Sequence, residues 1–112
     1  MRQIWKYTAL HNEFTVKMPV GARILKALDT QLFNDYHSGR HGENIVFWAV
    51  VDPAAPKVHR RFVGVFTGQN CPDELDALEH VGTIEIRRDR LVFHLFDAGE
   101  VPAEAVSDGE VT

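Results

Sequence analysis

Apolar and polar residues alternate with a period of two over much of the chain, and this pattern predicts β-strands. In "QIWKYTAL", residues 3–10, Trp5 and Tyr7 lie on one side and Lys6 lies on the other. "FTVKM", residues 14–18, alternates in the same way. The intervening "HNE" is predicted to be a turn, so we expect these two strands to pair as a first hairpin.

A second pair of strands is predicted in the middle of the chain. "IVFWAVV", residues 45–51, is apolar on both faces and rich in β-branched and aromatic residues. This composition is typical of a central strand that is covered on both sides. Pro53 and Pro56 remove two ladder donors and end the strand. "RRFVGVFTG", residues 60–68, resumes the alternation, so we expect the two segments to pair antiparallel, with "DPAAPKVH" as their connector.

The segment "GTIEIRRDRLVFHLF" predicts another hairpin, with its turn at residues 88–89. A two-residue loop at that position places Ile86 opposite Leu91 and Ile84 opposite Phe93. Both pairs then fall on one face of the hairpin, which we expect to face the core.

Three segments have less regular patterns. Helix propensity favours a helix over residues 22–31, whereas the alternation in "ILKALDT" also fits a strand. "NCPDELDALEH" predicts a short helix near residues 73–80, because a proline suited to the first helical position is followed by acidic residues. "FNDYHSGRHGEN" is polar and contains two glycines, which predicts a loop over residues 34–44.

Composition predicts one globular domain. The chain has 112 residues, of which 45% are hydrophobic and 25% charged, and this balance supports a packed core. Cys71 is the single cysteine, which rules out an intrachain disulfide and a zinc cage of thiolates. We find no apolar stretch long enough for a signal peptide or a membrane span. These features predict a soluble protein of the cytoplasm.

The formal charge of −4 is unevenly distributed along the chain. Residues 97–112 hold five acidic residues and no Lys or Arg, so residues 1–96 retain twelve basic and eleven acidic residues. We therefore expect a single β-domain over residues 1–96 and an acidic, disordered tail over residues 97–112. The near-neutral domain argues against binding to duplex nucleic acid, which requires several cations on one face.

Six segments together resemble an uncharacterised domain family of small proteins from tailed phages and the bacteria that carry them. In order they are "IWKYTAL", "VKMPVGARIL", "FWAVVDPAAP", "RRFVGVFTGQNCP", "HVGTIEI" and "LVFHLF", and they span residues 3–96. The resemblance implies a compact, mostly antiparallel β-domain, which changes the prediction for residues 22–31 from helix to strand. It implies no established activity. The 34–44 segment is longer than the family pattern leads us to expect.

Alternation and resemblance together predict a mainly β fold. We expect a small antiparallel β-barrel or sandwich of about six strands with one short helix. Unpaired strand edges and half-apolar outer faces favour self-association into a homo-oligomer.

The basic cluster at the start of the predicted strand over residues 60–68 is the candidate ligand-binding site. Arg60 and Arg61 suit the oxygens of a phosphate group, His59 precedes them, and the aromatic rings of Trp48 or Tyr7 would stack on a base. The alternative interpretation is that arginines beside a strand keep the sheet edge soluble.

The 34–44 segment is a second candidate. His37, Arg40 and His41 would contact a ligand or a partner protein, or the segment is a solvated loop. His37 and His41 with Glu43 also have the donor types of a metal site, which would support a metal-dependent hydrolase.

The chain contains none of the common catalytic motifs: it has no GxSxG elbow, no P-loop, no GxGxxG and no calcium loop. The absence of these motifs favours a non-enzymatic protein without a cofactor. The resemblance implies a small binding module of phage or prophage type, whose compartment would be the host cytoplasm. It would sequester a small anionic ligand such as a nucleotide, or bind a host protein. The metal-dependent hydrolase is the alternative hypothesis.

Overall fold

The computed structural model describes residues 1–87 and 90–101, apart from the side chain of His41. In these residues the chain forms seven strands, arranged in two antiparallel sheets. The strands are β1 (Gln3–Ala9), β2 (Asn12–Pro19), β3 (Arg23–Asp35), β4 (Arg40–Val51), β5 (Lys57–Phe66), β6 (Glu79–Ile86) and β7 (Leu91–Glu100). The mainly β prediction is confirmed, with seven strands where about six were expected.

The three-stranded sheet has the order β1-β4-β3, and the four-stranded sheet has the order β2-β5-β7-β6. The predicted first hairpin is wrong, because β1 and β2 belong to different sheets. Tyr7 on β1 pairs with Phe47 on β4, and Phe14 on β2 pairs with Phe62 on β5. The chain crosses between the sheets just before β2, where Asn12 has a φ of 65°, a conformation that asparagine tolerates better than most residues.

The prediction that β4 is a central strand is confirmed. It lies in the middle of its sheet, and the side chains of Phe47 and Ala49 are fully buried. The predicted pairing of β4 with β5 is wrong, because β5 pairs with β2 and β7 instead. The connector with Pro53 and Pro56 carries the chain from one sheet to the other.

Residues 22–31 form part of β3, as the resemblance implied and helix propensity did not. Between Ile24 and Leu28 the register of β3 against β4 shifts, so three residues of β3 bulge out of the ladder. Leu28 then pairs with Phe47 and packs against the core. Burial of this apolar side against the other sheet outweighs the helix propensity of the segment.

The predicted loop over residues 34–44 is wrong. Strand β3 continues to Asp35 and β4 begins at Arg40, so only a four-residue turn separates them. Gly39 in this turn has a φ of 72°, which glycine adopts without strain. Because β1 covers β4 only from Ile45 onward, the end of the hairpin extends beyond the three-stranded sheet. We call residues 31–44 the arm.

The register of the last hairpin is confirmed. Ile86 pairs with Leu91 and Ile84 with Phe93, while the predicted turn at 88–89 lies outside the described residues. The short helix predicted near residues 73–80 is a single 3₁₀ turn, Leu75–Ala77. It cannot extend further, because β6 already begins at Glu79.

Residues 97–100 were predicted to belong to the tail, but they form the end of β7. The rest of the predicted tail, from residue 102 onward, lies outside the described residues. In the described ranges, no helix is long and apolar enough to cross a membrane.

The core lies between the inward faces of the two sheets. Its largest fully buried side chains come from β2, β4, β5 and β7: Met18, Phe47, Val51, Phe62, Phe93 and Leu95. In the described part of the chain the sheets do not close into one barrel, so the sandwich alternative is correct. Gly64 is needed where the ring of Phe93, from the neighbouring strand β7, and the β1–β2 connection both lie against β5. A Cβ there would lie 2.5 Å from the ring of Phe93 and also meet the carbonyl oxygen of Leu10.

Candidate functional site

A cleft opens between β3 of one sheet and the β5, β6 and β7 strands of the other. Its volume is about 270 Å³. Five charged residues contribute to its lining: Arg23, Lys26, Arg60, Glu79 and Asp97. Because no strand of the other sheet pairs with β3 at this edge, the inward charged groups of β5 and β7 are reachable from solvent.

Arg60 and Asp97 form the base of the cleft. The guanidinium donates from Nε to Oδ1 at 3.0 Å and from Nη2 to Oδ2 at 2.6 Å, and Nη1 donates to the carbonyl oxygen of Ala22 at 2.6 Å. The Arg60 side chain is 15% exposed and the Asp97 side chain 5% exposed. The pair is therefore largely removed from water, and its orientation is fixed by two hydrogen bonds.

A bulge in β7 directly follows Asp97. The β5–β7 register pairs Phe62 with Asp97 but Arg61 with Gly99, so β7 has one extra residue. Gly99 has a φ of 88°, and its backbone N–H donates to Asp97 Oδ1 at 2.8 Å. Asp97 faces inward because it continues the two-residue period of Phe93 and Leu95, and the bulge adds a third hydrogen bond to its carboxylate.

The rim of the cleft joins the two sheets through Lys26, which lies in the β3 bulge. Its Nζ atom is 2.9 Å from Glu79 Oε1 and donates to the carbonyl oxygen of His80 at 3.0 Å. Both side chains of the ion pair are mostly exposed, so the pair contributes little to stability. It can open without disturbing the base of the cleft.

Arg61 points away from the cleft, because consecutive strand residues face opposite sides of a sheet. Its Nη1 atom lies 2.7 Å from Glu74 Oε1 and 3.3 Å from Glu13 Oε1. The hydrogen bond with Glu74 raises the pKa of Arg61 and lowers the pKa of the Glu74 carboxyl. Arg61 therefore attaches the segment before β6 to the outer face of the four-stranded sheet.

His59 is two residues from Arg61 and so on the same outer side of β5. Its Nδ1 atom is buried and has no hydrogen-bond partner among the described residues. Its carbonyl oxygen accepts a hydrogen bond from the N–H of Val101 at 2.9 Å, which holds the end of β7 against β5.

The two aromatic residues of the predicted ligand site lie on opposite faces of the three-stranded sheet. The ring of Tyr7 stacks on Phe47 in the core, with centroids 5.7 Å apart, and burial raises the pKa of Tyr7. Trp48 follows Phe47 and so faces outward, opposite Lys6. The structure brings Arg60 into the cleft, but it does not bring His59, Arg61, Trp48 and Tyr7 together there.

The turn of the arm is held by Asp35. Its carboxylate accepts hydrogen bonds from Ser38 Oγ at 2.8 Å and from the N–H of His37 at 3.0 Å. These two hydrogen bonds, the one from Ser38 first, lower the pKa of Asp35. Arg40 pairs with Asp35 across the ladder. The segment is therefore a structured turn and not a floppy loop.

Two further residues of the hydrolase hypothesis lie on the β4 side of the arm. The backbone of His41 pairs with Asn34, and Glu43 pairs with Leu32. Among the described side chains, which do not include that of His41, no three His, Cys, Asp or Glu residues are grouped as metal ligands.

The end of the sandwich that carries the arm is rich in exposed apolar side chains. Of the eight large apolar residues exposed in the described chain, five are at this end, where β1 and β3 finish and β7 begins. They are Leu10, Leu32, Phe33, Tyr36 and Leu91, and we call them the arm-end patch. Leu32 is 79% exposed and Tyr36 88% exposed.

A second cavity of about 460 Å³ lies beside the patch, between the arm and the β6–β7 hairpin. Besides Leu32, its lining includes three carboxylates and one cation: Asp29, Glu43, Glu85 and Arg87. This cavity therefore has a net negative lining, in contrast to the cleft at the other end of the strands.

These observations define a mainly β, two-sheet antiparallel domain with a charged cleft at one end and the arm, with its exposed apolar side chains, at the other. The chain belongs to the family described as Domain of unknown function (DUF7352), whose model matches residues 1–105. The resemblance to an uncharacterised domain family is thereby confirmed. A search of curated proteins found no match. A search of solved structures also found none.

Sequence analysis did not identify four residues of the cleft: Arg23, Lys26, Glu79 and Asp97. For Asp97 a signal was present, because it continues the two-residue period of Phe93 and Leu95, both of which are buried. A carboxylate at the third inward position of such a strand needs a cationic partner. The other three carried no comparable signal.

Proposed function

We propose that this chain is a non-enzymatic binding module that acts by contact with another protein through its arm. The observation that carries the proposal is the arm-end patch, because soluble domains rarely concentrate large exposed apolar side chains at one end unless that end is covered. The sequence resemblance adds a phage or prophage origin and a host protein as partner. The cytoplasm is the proposed compartment.

The backbone of the arm also favours a protein partner. On its β1 side, the segment 40–44 of β4 has no neighbouring strand in the described chain, since Ala9 of β1 pairs with Ile45 and the chain then turns away. An extended segment of a partner can add to such an edge by main-chain hydrogen bonds. The side chains of Leu32 and Tyr36 would then contribute the apolar contacts that select the partner.

The net negative lining of the cavity beside the patch indicates which kind of partner surface would fit there. The cavity beside the patch is lined by Asp29, Glu43 and Glu85 and by one cation, Arg87. Complementary charges across an interface favour the correct partner over others. We therefore infer that the partner presents an apolar side chain flanked by lysine or arginine.

The test is affinity capture from bacterial extract with matched variants. Leu32→Ser with Tyr36→Ser removes the most exposed apolar groups of the arm, and Ile4→Ser, on β1 and away from the arm, removes an equally large exposed group as the control. A partner that uses the arm is recovered by the wild type and by Ile4→Ser, and its recovery falls at least about tenfold with the double variant.

Equal recovery by all three proteins would contradict the proposal. The molar mass of the purified chain, measured by light scattering, shows whether the partner is a second copy of the chain or a different protein. An oligomer that the arm variants dissociate would identify the second copy as the occupant of the patch. The variants must unfold at the same denaturant concentration as the wild type, which excludes a general loss of folding.

A further inference from the structure

The guanidinium of Arg60 is only partly used by its contacts within the protein. A guanidinium has five N–H donors, and the bonds to Asp97 and to the carbonyl oxygen of Ala22 use three of them. These contacts leave one N–H on each terminal nitrogen, and Arg60 borders the cleft. We propose that the cleft binds a small oxyanion, a carboxylate or a phosphate group, on Arg60.

Asp97 prepares Arg60 for this role. Its two oxygens hold Nε and Nη2, so the guanidinium does not have to be ordered when a ligand arrives. A donor group that is already oriented loses less entropy on binding and gives a higher affinity. The two N–H groups that remain can each donate a charge-assisted hydrogen bond to an oxygen of a carboxylate or phosphate.

The other charges of the cleft supply the attraction. Asp97 offsets the charge of Arg60, so a ligand is drawn by Arg23 and Lys26, while Glu79 opposes them. Three cations and two carboxylates leave a formal excess of one positive charge in the lining. The partly buried position of Arg60 strengthens the interaction relative to one at an open surface.

The volume limits the ligand. A cavity of about 270 Å³ has room for roughly nine water molecules at about 30 Å³ each. It has room for inorganic phosphate, a small phosphate monoester or a small carboxylic acid. Because the cleft is open to solvent on one side, the rest of a larger ligand such as a nucleotide would extend out of it. The cleft and the arm-end patch lie at opposite ends of the strands, so this site is separate from the proposed protein contact.

The experiment is a titration of the ¹⁵N-labelled protein followed by NMR, with inorganic phosphate, succinate and AMP as probes. The amides of Gly21, Ala22 and Gly99 report on the cleft, since they border it or adjoin Asp97. We expect saturable shifts of these amides with at least one probe. Binding by phosphate and AMP alone would identify a phosphate ligand, and binding by succinate alone a carboxylate ligand.

Two double variants with the same change in charge provide the control. Arg23→Gln with Lys26→Gln removes the rim cations, and we expect it to weaken binding at least about tenfold. Lys6→Gln with Lys17→Gln removes two exposed cations outside the cleft and leaves the affinity within about twofold. The proposal is overturned if no probe gives saturable shifts at these amides. It is also overturned if both double variants lose affinity equally, because the ions would then respond only to net charge.

Discussion

Arg60 on β5 and Asp97 on β7 form a two-bond ion pair that fixes the base of the cleft, at 3.0 Å and 2.6 Å. The residues are 37 positions apart in the chain. The pair joins adjacent strands of the four-stranded sheet, and its bond to Ala22 reaches the start of the other sheet. The Asp97 carboxylate is almost completely removed from water and the Arg60 guanidinium largely so, so the loss of either partner leaves a poorly solvated charge and lowers stability.

We predict that Arg60→Met lowers the free energy of unfolding by about 3 kcal/mol or more, because Asp97 is left buried and unpaired. Arg60→Met combined with Asp97→Leu should recover part of this loss, since an apolar pair has no charge to desolvate. Urea unfolding of the single and double variants measures both effects. As a control, Glu79→Gln at the exposed rim should change stability by less than about 1 kcal/mol. A double variant as unstable as the sum of its single variants would argue against coupling.

Gly64→Ala tests the close approach of Phe93 and Leu10 to β5. The added Cβ would meet the backbone of Leu10 and the buried ring of Phe93, neither of which can move freely. We expect a loss of about 3 kcal/mol or more in the free energy of unfolding.

Gly42→Ala is the matched comparison for Gly64→Ala. There a Cβ would lie 3.1 Å from the ring of Phe33, which is partly exposed and can shift. We expect a loss below about 1 kcal/mol, measured by the same urea titration. Equal losses for the two variants would show that the packing around Gly64 is looser than described.

Tyr7→Phe should leave stability unchanged or raise it by up to about 1 kcal/mol at neutral pH. The Tyr7 hydroxyl is buried without a hydrogen-bond partner in the described chain, so its removal relieves a desolvated polar group and keeps the ring. Thermal unfolding in parallel with the wild type measures the change. A loss above about 1 kcal/mol would show that the hydroxyl has a bonding partner.

The buried Tyr7 hydroxyl also predicts that the free energy of unfolding depends on pH in the alkaline range. Burial raises its folded-state pKa above the ordinary tyrosine value, so the unfolded chain ionises first. Its contribution to stability is complete below the ordinary value of about 10 and is lost as the pH rises through the folded-state pKa. The wild type should therefore lose more stability than Tyr7→Phe between about pH 8 and pH 11. Identical losses of stability in the two proteins would contradict the claim that ionisation of Tyr7 destabilises the fold.

The Glu74–Arg61 contact predicts the opposite dependence at acid pH. The hydrogen bond from Arg61 lowers the folded-state pKa of Glu74, so its contribution is present above the ordinary glutamate value and is lost as the pH falls through the lowered one. Glu74→Gln should be less stable than the wild type near neutral pH, and the difference should vanish near about pH 2. Denaturant midpoints at both pH values provide the test. A difference that does not depend on pH would exclude the ionised carboxyl as its source.

The two-residue period was enough to predict strands at β1, β2 and β5 and to set Ile86 opposite Leu91, because a short connection leaves little choice of register. The continuous apolar run over residues 45–51 predicted β4 as a central strand. Neither pattern predicted which strands pair. Local hairpins are the commonest solution, yet β1 pairs with β4 across more than thirty intervening residues. That choice depends on how the inward faces of two sheets pack together, which a local pattern does not contain.

The candidate site was likewise predicted only in part from the sequence. Arg60 was identified as basic and strand-flanking, and the same period shows that its neighbour Arg61 must face the opposite side. The partners of Arg60 could not be found from the sequence. Asp97 is held by a further hydrogen bond from the bulge that follows it in β7, and Lys26 reaches Glu79 from a bulge in β3. Bulges of this kind depend on tertiary contacts and leave only weak signals in one sequence.

Photocrosslinking at the arm tests the proposed function most directly. Tyr36 is replaced by p-benzoylphenylalanine in one protein and Ile4 in a control, both positions being exposed, and each is irradiated in the bacterial cytoplasm. The account predicts a discrete protein adduct from position 36 that is absent from position 4. Adducts that are absent from both positions, or the same at both, would contradict the proposal that the arm is the protein-contact surface.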